Sequence, residues 1–167
     1  GWSQGALVAQ LVAQCHPALV SAAILYGSIY DPTLSYPHTD HPAPPSFVEN
    51  TLEGAMEDWT VEGLIDAEAA AAFGDAAMAW DPRKVSWGAL HEFNELDPSK
   101  VTVPSLVIFG ENDSYSTVAN QVALFEGISA SNKALRMVPR ADHPVHLYPR
   151  ERRIWLNDLT AFLDSLT

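Results

Sequence analysis

The chain has 167 residues, 47% of them hydrophobic and 18% charged, which is typical of one globular domain and excludes a disordered protein. Nine basic and 21 acidic residues give a formal net charge of −12. Such a surface repels phosphate backbones and anionic lipids, so we expect no nucleic-acid partner and no membrane partner.

The first predicted elements enclose a serine near the start of the chain. Apolar residues four positions apart, separated by small ones, predict a helix from Ala6 to about Cys15. Ser3 therefore lies just before the start of this helix. The following apolar run, residues 22–30, stops at an Asp-Pro pair and is typical of a buried strand.

The middle of the chain, residues 32–98, differs in character from its flanks. It begins in a loop that carries five of the twelve prolines. Helix-like spacing of apolar residues from Phe47 to Leu64 predicts helix there, and an alanine-rich helix follows from about Asp66 to Trp80. We interpret residues 32–98 as a helical cap inserted into a core that consists of residues 1–31 and 99–167.

The alternation of strand and helix returns after this insertion. The run VPSLVIFG predicts a strand that ends in a turn, and a helix follows from about Thr117 to Phe125. The run ALRMVP predicts another strand, and a closing helix carries an apolar stripe of Trp155, Leu159, Phe162 and Leu166. The fold class is therefore α/β, with a parallel sheet covered by helices on both faces.

Three residues of the types that form a nucleophilic triad occur in the order Ser, Asp, His. Ser3 lies in GWSQG, Asp113 in FGENDS after one predicted strand, and His143 in PRADHPVH after the next. Because the carboxyl ends of parallel strands meet at one edge of a sheet, these side chains can converge. The pattern predicts a catalytic triad of Ser3, Asp113 and His143.

The G-x-S-x-G spacing around Ser3 suits a sharp turn from a strand into a helix. Such a turn strains the backbone, and we expect both flanking glycines, Gly1 and Gly5, to leave room where a side chain would collide. The backbone N–H of Gln4, at the start of the helix, is positioned to donate to an oxyanion.

Several of these segments together resemble the α/β-hydrolase superfamily, in its capped serine esterase and acyl-hydrolase branch. The similar segments are the nucleophile elbow, following helix and sixth strand (1–27), the seventh strand with its acid turn (103–114), the histidine loop (140–150) and the closing helix (151–166). The resemblance implies the C-terminal part of that fold's parallel sheet. It also implies Ser3 as nucleophile, His143 as general base and Asp113 as the residue that orients the histidine.

Alternatives remain within this site. Asp31 also follows a strand, the sixth, where some members of the family carry their acid. His146 lies three residues after His143, although the family pattern places the catalytic histidine first. The run HTDH at 38–41 contains metal-ligand types, but its proline-rich surroundings favour a solvated loop. We expect no metal and no organic cofactor.

The function implied is hydrolysis of an ester, lactone or thioester of an apolar small molecule through an acyl-enzyme. Acyl transfer by the same triad, or a binding protein that has the fold without catalysis, are the alternatives. The aromatic residues that we expect to line the substrate site are Trp2, Tyr30, Trp59, Trp80 and Trp87. Each residue of the predicted cap is also suited simply to packing the cap on the core.

The chain starts two residues before the predicted nucleophile. In the resembled fold a strand runs into the elbow, and a loop after the third strand supplies a second oxyanion donor. We therefore expect a second polypeptide that carries the N-terminal half of the fold, a truncated chain being the alternative. Without that half, the predicted strand at 22–30 would present a bare parallel edge.

The compartment is not fixed by the sequence. Cys15 is the only cysteine, so no disulfide forms within the chain. No apolar run reaches the roughly 18 residues that span a bilayer, and no signal peptide is visible. We expect a soluble protein, with the cytoplasm slightly favoured.

Overall fold

A computed structural model describes residues 1–38, 47–85 and 90–167, and the side chain of Val85 is not among the described atoms. The helices in this part of the chain are α1 Gln4–Cys15, α2 Leu52–Met56, α3 Ala67–Trp80, α4 Val118–Gly127 and α5 Pro149–Asp164. The strands are β1 Ala23–Tyr26, β2 Phe47–Glu49, β3 Arg83–Val85, β4 Ser105–Gly110 and β5 Lys133–Val138. None of these described helices is both long and apolar enough to cross a membrane.

The main sheet is parallel, with strand order β1-β4-β5. In its register Ser105 lies opposite both Ala23 and Lys133. The central strand β4 is buried along its whole length, as expected for a strand with neighbours on both sides and helices over both faces. The predicted α/β class with a parallel sheet is confirmed.

Two hydrophobic clusters show how helices cover the two faces of this sheet. One cluster joins α1 and α4 to β1 and β4, through residues such as Ala6, Leu25 and Leu124. The other joins α5 to β4 and β5, with Phe162 of α5 against Ile108. The sheet is therefore enclosed in an α/β/α arrangement that presents the strand ends, not the faces, to the surface.

The first residues of the chain run parallel to β1 along its outer edge. The N–H of Gly1 donates to Ile24 O at 2.9 Å, and the N–H of Tyr26 donates to Gly1 O at 2.9 Å. The N–H of Ser3 then donates to Tyr26 O at 3.0 Å, and α1 begins at Gln4. Ser3 is thereby fixed at the carboxyl end of the sheet, where the chain turns from extended backbone into helix.

The described residues of the segment 32–98, namely 32–38, 47–85 and 90–98, contribute no strand to the parallel sheet, and this segment is called the inserted segment below. Helices α2 and α3 pack closely, since a Cβ on Gly74 of α3 would lie 2.4 Å from Leu52 Cδ1. The predicted alanine-rich helix is α3, and the side chain of Asp66 caps it by accepting from the N–H of Ala69 at 2.8 Å.

The helix predicted from Phe47 onward is wrong for its first residues. Phe47–Glu49 is instead strand β2, paired antiparallel with β3, with an ion pair of 2.9 Å between Arg83 and Glu49. The apolar spacing was misleading because it does not mark a buried stripe: Phe47 is 64% exposed and Leu52 is 55% exposed. Strand pairing satisfies the backbone of residues 47–49 where no core is available to a helix.

Candidate active site

The turn at Ser3 has the strained geometry of a nucleophile elbow. Ser3 has φ 57° and ψ −127°, a conformation that residues other than glycine rarely adopt. A Cβ on Gly1 would lie 2.0 Å from Gly5 O, so glycine is required there. At Gly5 no described atom lies within 4 Å of an added Cβ, so the expected steric need for the second glycine is wrong within the described chain.

Gln4 is the first residue of α1, directly after Ser3. Its backbone N–H belongs to the first helical turn, where no acceptor exists one turn earlier in the helix. The N–H also lies at the positive end of the helix dipole. This position suits donation to a developing negative charge next to Ser3, as the sequence predicts.

Asp113 and His143 form a buried hydrogen-bonded pair at the carboxyl ends of β4 and β5. His143 Nδ1 lies 2.8 Å from Asp113 Oδ2, and the histidine side chain is only 2% exposed. Because an ionised carboxylate only accepts hydrogen bonds, Nδ1 of His143 carries the proton. In a ring that carries only this one proton, Nε2 is the nitrogen with the lone pair.

The Asp113 carboxylate is held by its own turn. Its Oδ1 accepts from the N–H groups of Tyr115 and Ser116, both at 2.9 Å, and the hydroxyl of Ser116 donates to Oδ2. Burial acts to raise the pKa of Asp113, but the hydrogen bonds and charge of His143, together with the Ser116 bonds, hold it below its ordinary value. Asp113 is therefore ionised at neutral pH and oriented toward the histidine.

Ser116 and Gly27 were not found by sequence reasoning. The serine three residues after Asp113 is a common side-chain turn pattern that points to a fixed carboxylate. Gly27 follows β1 with φ 50°, and a Cβ there would approach the His143 ring at 3.3 Å and Asp113 Oδ2 at 3.4 Å. A glycine directly after a buried strand is the available signal for such a close approach.

The backbone of the histidine loop is fixed by Trp2 and Tyr26. The Trp2 Nε1–H donates to His143 O at 3.2 Å, and the Tyr26 hydroxyl lies 3.0 Å from the same oxygen. The Trp2 ring also packs against the His143 ring, with 5.1 Å between centroids. Trp2, predicted to bind substrate, thus supports the histidine from the side and contributes to a separate small cavity.

Ser3 and His143 line one cavity of about 340 Å³. Asp113 bonds to His143, so the structure brings all three predicted residues to the same edge of the sheet. The inserted segment supplies part of the wall. The other lining residues are Ile29, Asp31, Leu34, Tyr36, Glu57, Asp58, Tyr115 and Asn120.

The two alternative site residues make other contacts. Asp31 lines the cavity, but its Oδ1 accepts from the N–H and hydroxyl of Thr33 at 2.8 and 2.7 Å, within its own loop. His146 Nδ1 lies 3.0 Å from the Tyr26 hydroxyl, and burial, aided by the charges of His143 and Arg152, lowers the pKa of His146. Among the described contacts, only Asp113 meets the His143 ring as a carboxylate partner.

The remaining predicted binding residues are scattered. Trp59 packs on Phe73 at 4.4 Å between centroids and lines a separate cavity with Trp2 and Asp58. Tyr30 lines a cavity of about 230 Å³ next to the one with Ser3. Trp80 ends α3 and is 88% exposed, so the structure does not bring it to the site. Trp87 lies outside the described residues.

No group of three or more His, Cys, Asp or Glu in the described ranges is arranged to hold a metal ion. The HTDH run is only partly covered, since residues 39–41 lie outside those ranges. His38 contacts His91, with 4.5 Å between ring centroids, and both line a cavity with Cys15 and His16.

Solved structures share this fold. The chain is similar to a monoacylglycerol lipase from Paleococcus ferrophilus, with TM-score 0.70, 14% identity, and coverage of 100% of this chain and 67% of that one. It is similar to a soluble variant of the monoglyceride lipase of Saccharomyces cerevisiae, with TM-score 0.72, 17% identity, and coverage of 100% and 64%. A serine hydrolase involved in carbazole degradation gives TM-score 0.63, 23% identity, and coverage of 98% and 62%.

The chain thus spans about two thirds of the length of these structures, and at such identities the likeness concerns the fold alone. No curated protein matches it. The sequence pattern of the alpha/beta hydrolase family matches residues 1–153, which is most of the chain. The matched range contains the Ser3 turn, the parallel sheet and the Asp113–His143 pair. The chain therefore belongs to the alpha/beta hydrolase family.

Proposed function

We propose that this protein is a serine hydrolase that cleaves an ester or related acyl bond of a small molecule through an acyl-enzyme. The observation that carries the proposal is the buried 2.8 Å bond between His143 and Asp113, whose histidine shares a cavity with Ser3 at a strained turn. Strain of this kind persists where the surrounding structure holds a reactive group in place. Similarity to lipases of the same fold agrees with an ester substrate.

In the proposed mechanism, His143 is the general base. Its Nε2 removes the proton of the Ser3 hydroxyl while the serine oxygen attacks the carbonyl carbon. Asp113 keeps the proton of the neutral ring on Nδ1 and stabilises the imidazolium that forms. His143 then returns the proton to the leaving alcohol, and the acyl group remains on Ser3 until water, activated by the same histidine, releases the acid.

The tetrahedral oxyanion needs donors fixed before the reaction. We assign the backbone N–H of Gln4 as one donor. In this fold a second N–H comes from a loop after the third strand, and we propose that such a loop, outside these 167 residues, supplies the second donor. Removing one such donor from an oxyanion hole lowers kcat by about a hundredfold to a thousandfold.

The proposal is tested by turnover of a neutral activated ester, p-nitrophenyl butyrate, by the purified full chain with any polypeptide that copurifies. The variant Ser3→Ala is expected to lose about a thousandfold or more in kcat. The matched control is Ser131→Ala, which makes the same change at an exposed position before β5. Equal turnover by both variants would show that Ser3 is not the nucleophile.

A further inference from the structure

Most of the polar residues that line the cavity with Ser3 and His143 are acidic residues and tyrosines. Three carboxylate residues line it, namely Asp31, Glu57 and Asp58, and the described lining contains no lysine or arginine. Two tyrosines, Tyr36 and Tyr115, line it as well. This composition disfavours an anionic substrate.

The three carboxylates differ in whether protein groups already satisfy them. Asp31 accepts two hydrogen bonds from Thr33, and Glu57 lies 3.5 Å from the ammonium of Lys84. Asp58 receives no hydrogen bond and forms no ion pair with any described residue, although it is half-buried. A carboxylate in that condition lines the cavity without a protein donor, so a donor or a positive charge of a ligand can bind it.

The surroundings of Asp58 act against its charged form. Burial raises the pKa of Asp58, and the charges of Glu57, Asp113 and Asp142 act in the same direction, while His143 opposes them. A bound positive charge would favour the ionised carboxylate. The net charge of −12 also attracts cations toward the molecule as a whole.

We propose that the substrate carries a cationic group, such as an alkylammonium, which binds Asp58 while its acyl carbon lies at Ser3. This inference rests on the proposed function, because it names the substrate class of the same site. Asp58 supplies the opposite charge, and the tyrosine rings of the cavity supply aromatic surfaces that attract cations. The product acid is negatively charged, so the same wall repels it and favours its release.

The test compares two esters of equal shape that differ only in charge. Acetylcholine is the cationic ester, and 3,3-dimethylbutyl acetate, in which carbon replaces the charged nitrogen, is its neutral counterpart. For the full chain we expect kcat/KM to be about tenfold higher for acetylcholine, which corresponds to about 1.4 kcal/mol. The preference should weaken as ionic strength rises, because salt screens the attraction.

Asp58→Asn is expected to lower this ratio by about tenfold, since it removes the charge and keeps the shape. Asp75→Asn is the control, because it makes the same change at an exposed position of α3 away from the cavity, and it should leave the ratio as it is. A ratio near one in the unmodified protein, or one that Asp58→Asn does not change, would overturn the inference while turnover of the neutral ester still supports the hydrolase. If neither ester is cleaved and a fluorophosphonate does not label Ser3, the proposed function fails and the inference fails with it.

Discussion

Replacing Asp142 with alanine removes a buried carboxylate that joins the histidine loop to the inserted segment. Its Oδ2 accepts from the N–H of Thr60 at 2.7 Å and from the N–H of Val61 at 2.9 Å. Its Oδ1 accepts from the hydroxyl of Tyr148, which is itself fully buried. Because Asp142 directly precedes His143, these bonds connect residues 60 and 61 to the loop that carries the proposed base.

The expected loss of stability can be estimated from these three bonds. Thr60 is exposed and Val61 is half-buried, so water can partly replace the lost acceptor, and each N–H bond counts at the low end, about 1.5 kcal/mol. The Tyr148 hydroxyl is buried and loses its acceptor, at about 1 kcal/mol or more. The free energy of unfolding should therefore fall by about 4 kcal/mol.

Asparagine at the same position distinguishes charge from shape. Its oxygen can accept from the two N–H groups while its NH₂ donates to a rotated Tyr148 hydroxyl, so the bonds persist without the charge. Hydrogen bonds to an ion are about twice as strong as neutral ones, so Asp142→Asn should lose only about 2 kcal/mol.

Urea unfolding of the two variants and of the unmodified full chain measures these losses. Limited proteolysis adds a local readout, because residues 57–61 should become accessible first in Asp142→Ala. A loss below about 1 kcal/mol for alanine, or equal losses for alanine and asparagine, would refute the assignment of Asp142 as the link between the two parts.

Three further variants test the turn and the pair. Gly1→Ala should lose activity and destabilise the fold, because its Cβ would lie 2.0 Å from Gly5 O. Gly5→Ala places its Cβ in open space, so it should retain activity and thermal stability. Equal melting temperatures for the two variants would contradict the elbow geometry. Asp113→Asn should lower kcat by about ten thousandfold, because the amide favours the wrong histidine tautomer. The pKa of Asp113 is lowered in the folded chain, so its contribution to stability is present above about pH 4 and is lost as the pH falls through that lowered pKa. Asp113→Asn should therefore show a smaller loss of stability below about pH 4 than the unmodified chain, and identical acid unfolding curves would count against the pair.

The parallel sheet and the chain order of the site were predictable because both depend on local patterns. The strands at 105–110 and 133–138 coincide with the two predicted strand runs, and Asp113 and His143 follow three and five residues after their ends. Parallel pairing then brings strand ends together without any knowledge of side-chain packing. The Asp113–His143 bond is a consequence of that topology.

The contacts between the inserted segment and the core were not predictable in this way. Asp142 and Thr60 are separated by 82 positions, and no periodicity indicates that a loop carboxylate accepts backbone bonds from so far away. Asp58 is an ordinary acidic residue in the sequence and becomes notable only where it lines the cavity. The predicted substrate-binding aromatic residues show a different limit, because residue type alone does not say where a side chain lies. Trp80, for example, ends a helix on the surface.

Labelling by a fluorophosphonate, followed by peptide mapping with mass spectrometry, tests the central claim most directly. The probe reacts with an activated serine and needs no knowledge of the substrate. One adduct per chain at Ser3, lost in Ser3→Ala and strongly reduced in Asp113→Asn, is the result that the proposed mechanism predicts. A folded, complete preparation in which Ser3 stays unmodified while the probe labels other serines or none would contradict it.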